Sequence, residues 1–233
     1  ISAAVFMTAF QEQLAGWLER KLPPTEEEDL SRPRFLLARQ PEDADTALML
    51  IHNEQLREME QIAGFFSSIR ENYNGPGPLQ RHKAFELLAA EVDAAAAAAT
   101  SLALERETAN RHMNLQTRQT LLRQLGDSVR ELLQAIEAAR RIPELLSLAD
   151  TCLEAVDFLF MNATEQMHSD HADPQQAAMY SDRGTQMEQL RSEYFKEGAT
   201  LSREAGMTLV SLTTGVEKCV WLLKRLLATA SSR

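Results

Sequence analysis

Glycine and proline are both scarce in this chain of 233 residues, nine and eight respectively. Sandwiches and barrels built on many tight turns need more of both, and collagen-like or low-complexity disordered chains need far more, so these classes are excluded. Cationic side chains are outnumbered, 24 Lys and Arg against 34 Asp and Glu, leaving a net charge of −10. A nucleic-acid binder needs a basic face to displace counterions from phosphate, and this balance argues against one. Only two cysteines are present. Cys152 and Cys219 sit in the apolar stretches TCLEAVDFL and EKCVWLL, at a spacing that fits no metal motif, and read as buried thiols in a reducing compartment.

Long apolar runs are missing too. The opening, Ile1 to Phe10, carries no charge, but it supplies only half of the roughly 20 apolar residues that a membrane span requires. No Lys or Arg precedes it, as a signal peptide would demand. It reads either as a helix lying on the core or as the last turns of a membrane helix. A first residue that is Ile rather than Met is expected of a piece of a longer chain or of a processed product.

What the chain does contain is helical periodicity. Residues 1–22 read as a helix ended by Pro23-Pro24, and 23–42, polar and punctuated by proline, as an extended linker. The first long helix takes Asp43 or Asp45 as its N-cap. It carries Met59, Ile62, Phe66, Ile69 and Tyr73 in steps of three and four, and stops at Asn74-Gly75-Pro76-Gly77-Pro78. A second helix over 79–111 places Phe85, Leu88, Val92, Ala95, Ala99 and Leu102 on one stripe. Its alanine run, Ala94–Ala99, reads as a tight helix–helix contact. A third, over 116–141, uses Leu122, Leu125, Val129, Leu132 and Ile136.

Pro143 opens a fourth helix, on which Leu146, Ala149, Leu153, Val156, Phe160, Ala163 and Met167 follow heptad steps. Pro174 opens a fifth through Tyr180, Met187, Leu190, Tyr194 and Leu201. Beyond a boundary at Gly206, a sixth takes Leu209, Leu212, Val216, Cys219, Leu223 and Leu226. No segment alternates long enough to insist on a strand. The expected class is all-α: a long antiparallel helical bundle over 43–233, in two pseudo-repeated three-helix units at about 43–141 and 143–229. Seams that step by 3.5 residues favour nearly parallel packing.

Chemistry-bearing clusters are few. His168, Asp170, His171 and Asp173 crowd one loop beside Glu165, a mixture of imidazole and carboxylate that suits a divalent ion, although hydrophilic interhelical loops also look like this. His52, Glu54 and Glu58 lie on the first long helix. Paired carboxylates on a bundle helix can ligate metal; the alternative is a solvated face with Glu54 and Arg57 as a local ion pair. Asp127, after Gly126, adjoins the Leu125–Leu132 seam. Nucleophile elbows, phosphate loops, dinucleotide fingerprints and HExxH are absent from the sequence, so no enzyme, no catalytic residue and no organic cofactor is expected.

The order LERKLPP, TEEED, SRPRFL, ALMLIHNEQLREMEQIAGFF and LLRQLGDSVRELLQAI resembles the C-terminal cytoplasmic part of bacterial sodium/phosphate cotransporter family proteins, where a PhoU-like helical domain follows the membrane helices. Pro33-Arg34-Phe35-Leu36, Ala47-Leu48 and Glu54 are the residues that match the family pattern most directly. The resemblance implies a PhoU-like fold and a non-catalytic regulatory or accessory role on the cytoplasmic side of the inner membrane. The implied partners are the membrane portion of the same chain, a second copy, or a phosphate-signalling protein. In that family a Glu-x-x-x-Asp motif in each unit holds metal clusters. Here Arg123 stands in the Glu position before Asp127, and the second unit offers Thr213 and Glu217, so the implied role carries over without the cluster chemistry. Two other readings are a free-standing PhoU-type regulator or metal-binding bundle, and a helical sensor or scaffold.

Overall fold

Asp43 starts the first long helix in the manner its side chain allows. Its carboxylate accepts from the Thr46 amide at 2.7 Å and from the Thr46 hydroxyl at 2.8 Å, which satisfies an amide that the helix itself leaves open. The two bonds, the backbone one foremost, hold the Asp43 carboxyl below its ordinary range. The computed structural model describes residues 25–36, 43–70, 77–100, 106–169, 183–197 and 202–230. Among them are seven α-helices: α1 (Glu26–Ser31), α2 (Ala44–Arg70), α3 (Pro78–Ala99), α4 (Arg106–Arg140), α5 (Leu146–His168), α6 (Arg183–Glu197) and α7 (Arg203–Ala230). A 3-10 turn, Pro143–Leu145, leads into α5, and no strand occurs among the described residues.

The fold is an all-α bundle, and side-chain pairings give the helix directions. Phe65 of α2 meets His82 and Phe85 at the start of α3, so these two helices are antiparallel. His112 near the start of α4 reaches the Ala96 carbonyl at the end of α3 at 2.7 Å, and Asp127 lies by His82, so α3 and α4 are antiparallel as well. Phe66 packs at a tilt against Phe160 while Ser67 and Arg70 reach Asp157, which sets α5 antiparallel to α2. Lys218 pairs with Glu131 and Gly215 touches Leu132, while Ala138 lines a groove with Met207; α4 and α7 therefore also run in opposite directions. Helices α2 and α4 run the same way, as alternate members of an up-and-down array must.

One continuous apolar cluster runs from Met59 and Phe66 through Leu122, Leu132 and Ile136 to Phe160, Leu212 and Leu223, and a smaller one joins Leu48, Ile51, Val92, Ala96 and Leu115. The Leu122–Ile136 stripe and the Leu209–Leu226 stripe are buried as their spacing predicts. Burial of each such side chain is worth about 1.5–3 kcal/mol, so these two stripes dominate cohesion. Glycine permits two close approaches. A Cβ on Gly126 would lie 2.3 Å from the Phe85 ring, and one on Gly215 would lie 3.1 Å from Leu132.

Several boundaries differ from expectation. Residues 26–31, expected as extended linker, form a helical turn because Thr25 and Glu28 make a capping box. The single helix expected over 79–111 is two: α3 ends at Ala99 and α4 has begun by Arg106. No glycine or proline marks that break, and the helix-favouring alanines before it give no reason to place it there. Within the alanine run only Ala96 and Ala99 are buried. Gly206 is not a boundary but lies in the first turn of α7, which Ser202 opens by accepting from the Ala205 amide at 3.1 Å. Leu146, first in its heptad series, is exposed at the mouth of α5 while the other six are buried. Residues 1–22, Tyr73, Leu102, Pro174, Tyr180 and Leu201 lie outside the described residues, and no helix among the described residues is long and apolar enough to cross a membrane.

Candidate functional site

Between Glu54 and Phe66, α2 is buried on nearly every side, polar residues included: Glu54, Gln55 and Glu58 are 0% exposed. The expectation of a solvated face is thus overturned, although the Glu54–Arg57 pair itself is present at 3.3 Å. What covers the face is the segment 29–36, and it is held through its backbone. The Arg57 guanidinium donates to the carbonyls of Asp29 at 2.7 Å, Leu30 at 3.2 Å and Arg32. Gln61 adds a bond to the Leu30 carbonyl at 2.7 Å. The Asp29 and Leu30 carbonyls are ones that the end of α1 leaves open, Arg32 follows the helix, and a cation at a helix C-terminus suits the helix dipole. One turn earlier, the Glu54 carboxylate accepts from the amides of Phe35 at 2.5 Å and Leu36 at 3.4 Å. Glu54, Arg57 and Gln61, at i, i+3 and i+7, form a clamp that grips donors and acceptors of one incoming strap. Arg81 of α3 pins the far end of α1 through Glu26 at 3.1 Å.

A second polar layer lies deeper, where α2 faces α4. Gln55 donates to the Leu115 carbonyl at 2.8 Å and to Gln119 Oε1 at 3.1 Å, and Gln119 donates to both oxygens of Glu58, at 2.8 and 3.0 Å. Burial pushes the Glu58 carboxyl up to about 8; the Gln119 bond and Arg123 work against that rise, and Asp93 and Glu54 add to it. Glu58 therefore stays mostly protonated at neutral pH, which removes the cost of an unpaired buried charge. His52, one turn before Gln55 on α2, lies 2.7 Å from Arg118.

A third grouping joins α3 to α4. His82, buried at 3% exposure, lies with Nε2 3.4 Å from Asp127 and Nδ1 3.8 Å from Glu86. One donor atom from each of the three residues falls within 4.8 Å of the others. His82 Nε2 makes no hydrogen bond. The sequence singles out Asp127 but not its company. His82 and Glu86 stand one helical turn apart, a readable signal, yet nothing local says that residue 127 returns to them.

Of the loop candidates, His168 alone lies among the described residues. His168 ends α5 with Nε2 3.2 Å from Glu60 and Nδ1 2.9 Å from the Thr164 carbonyl; Asp170, His171 and Asp173 lie outside the described residues. Arg123, in the Glu position of the metal motif that the resemblance implies, is bound to Asp93. Thr213 is buried and donates to its own helix at Leu209, while Glu217 pairs with Arg191. Both cysteines are buried, their thiols raised to about 11 at Cys152 and about 12 at Cys219 by burial. Neither is a ready nucleophile. No family model, no curated protein and no solved structure matches this chain.

Proposed function

We propose that this bundle is a non-catalytic, cytosolic regulatory domain of a sodium-dependent phosphate transporter, joined to the membrane portion through residues 1–22. The observation that carries the reading is the bond between the two segments on which the family resemblance rests. Glu54 accepts the amides of Phe35 and Leu36, and Leu36 lies against the cluster containing Ala47 and Leu48. The matching residues then share one physical role, which is to tie the incoming chain to the central helix. A displacement of the strap is passed to α2, which touches α3, α4 and α5. The two three-helix units belong to this proposal as a PhoU-like arrangement in which α2 to α4 receive the strap. Net negative charge keeps such a domain off anionic lipid, so regulation runs through protein contact with the transporter portion, a second copy or a phosphate-signalling protein.

The test begins with the native product. Membrane fractionation is expected to give a carbonate-resistant band well above the mass of these 233 residues. In that full-length protein, deletion of 43–233 is expected to leave membrane insertion intact and to alter sodium-driven phosphate uptake or its response to phosphate. A soluble product of about the mass of this chain would overturn the reading and favour a free-standing regulator. Unchanged uptake and unchanged phosphate response in the deletion would overturn it too.

A further inference from the structure

The geometry points to a mononuclear binding site for a divalent transition ion of the zinc type on His82, Glu86 and Asp127. The imidazole is fixed before any ion arrives. It lies between Phe65 and Phe85, with ring centroids 6.3 and 6.2 Å away, and it is 3% exposed. Yet its Nε2 makes no hydrogen bond, although an Asp127 carboxylate oxygen lies 3.4 Å away. A buried polar atom left in that state costs about 1–3 kcal/mol unless something satisfies it. Nearly all such atoms in folded proteins find a partner.

The carboxylate beside it is placed by packing. Phe85 occupies the notch left by the missing side chain of Gly126, which brings α4 close to α3 just where Asp127 follows in sequence. Glu86, one turn along α3 from His82, supplies the third donor, and its side chain is 56% exposed, as is 55% of Asp127. The histidine is therefore the rigid anchor, and the two carboxylates are free to close on an ion from the solvent side. Ligands about 2.0–2.2 Å from one ion sit closer together than 4.8 Å, so binding draws Glu86 inward and leaves water in the remaining positions. One imidazole nitrogen with two carboxylate oxygens suits zinc, or cobalt(II) as its spectroscopic surrogate, better than magnesium or calcium. The Arg130 guanidinium, 3.9 Å from Asp127, stands behind the site and limits its net charge. The donor set owes nothing to the strap, so an ion binds here whether or not the domain serves a transporter.

The test is titration of the full chain with Co²⁺ and then Zn²⁺, read by calorimetry and by the visible absorption of bound cobalt. One equivalent of Co²⁺, displaced by Zn²⁺, is expected. Glu86→Gln and Asp127→Asn alter exposed side chains, and each is expected to weaken binding at least tenfold with an unchanged circular dichroism spectrum. His82→Gln is expected to abolish it. Absence of saturable binding at millimolar ion would overturn the site. So would undiminished binding in well-folded Asp127→Asn, or binding lost in His168→Gln and kept in His82→Gln.

Discussion

The two ends of α4 are held differently: the first adds a buried polar chain to a small apolar cluster, and the second rests on a long apolar seam. Toward its start, Leu115 and Gln119 meet α2 through a chain of amides that ends on the Glu58 carboxyl. Toward its end, Val129, Leu132 and Ile136 meet α7 in an apolar seam that closes over Gly215. Hydrogen bonds are directional and modest in net worth, whereas apolar contact is non-directional and additive with area. The polar end therefore fixes which residues of α2 and α4 face each other, and the apolar end supplies most of the cohesion.

The largest blow to that division should come from the apolar end. Leu132→Ala, at a position 0% exposed, is expected to cost about 3 kcal/mol in urea unfolding, because it removes contacts on Gly215 and leaves a cavity. Next is the clamp. Arg57→Ala leaves the buried Glu54 carboxylate without its cation and the Asp29 and Arg32 carbonyls without their donor, while Gln61 still holds the Leu30 carbonyl; about 2–3 kcal/mol is expected, together with new protease cleavage within residues 29–36.

Glu58→Gln separates the two ends by pH. The folded chain holds this proton up to about pH 8, against 4.5 for an ordinary glutamate. The stability linked to it is full below about pH 4.5 and is withdrawn as the pH climbs through about 8. Between pH 6 and 8 the wild type should lose about 2 kcal/mol relative to Glu58→Gln, in order of magnitude, measured as the difference between paired unfolding curves. A parallel pH dependence in the two proteins would count against a protonated Glu58. The smallest effect is expected at the rim of the apolar end. Lys218 and Glu131 are 49% and 58% exposed, so Lys218→Ala should move stability by less than about 0.5 kcal/mol.

The same contrast explains what could be read from the sequence. The α4–α7 seam was legible residue by residue, since Leu122, Leu125, Leu132, Leu212 and Leu223 announce their burial by being apolar at helical spacing. The clamp was not. Glu54, Arg57 and Gln61 look like any solvated helix face, and their cover is a segment 18 to 31 residues upstream that they bind through its backbone. Burial that is satisfied by backbone leaves no hydrophobic trace. Asp43 as an N-cap was legible because the signal is local; the approach of Asp127 to His82 was not, because it depends on Phe85 fitting a notch forty residues away.

The thiols of Cys152 and Cys219 give the bundle an internal clock. One sits on α5 and the other on α7, both inside the same apolar cluster, and both are shielded well enough to hold their protons to about 11 and 12. An alkylating reagent reaches either only when its helix parts from the core, so the rate of labelling counts openings. Two sulfurs on two helices also tell a local parting from a global one: equal rates mean that the cluster opens as a unit, and unequal rates name the helix that leaves first.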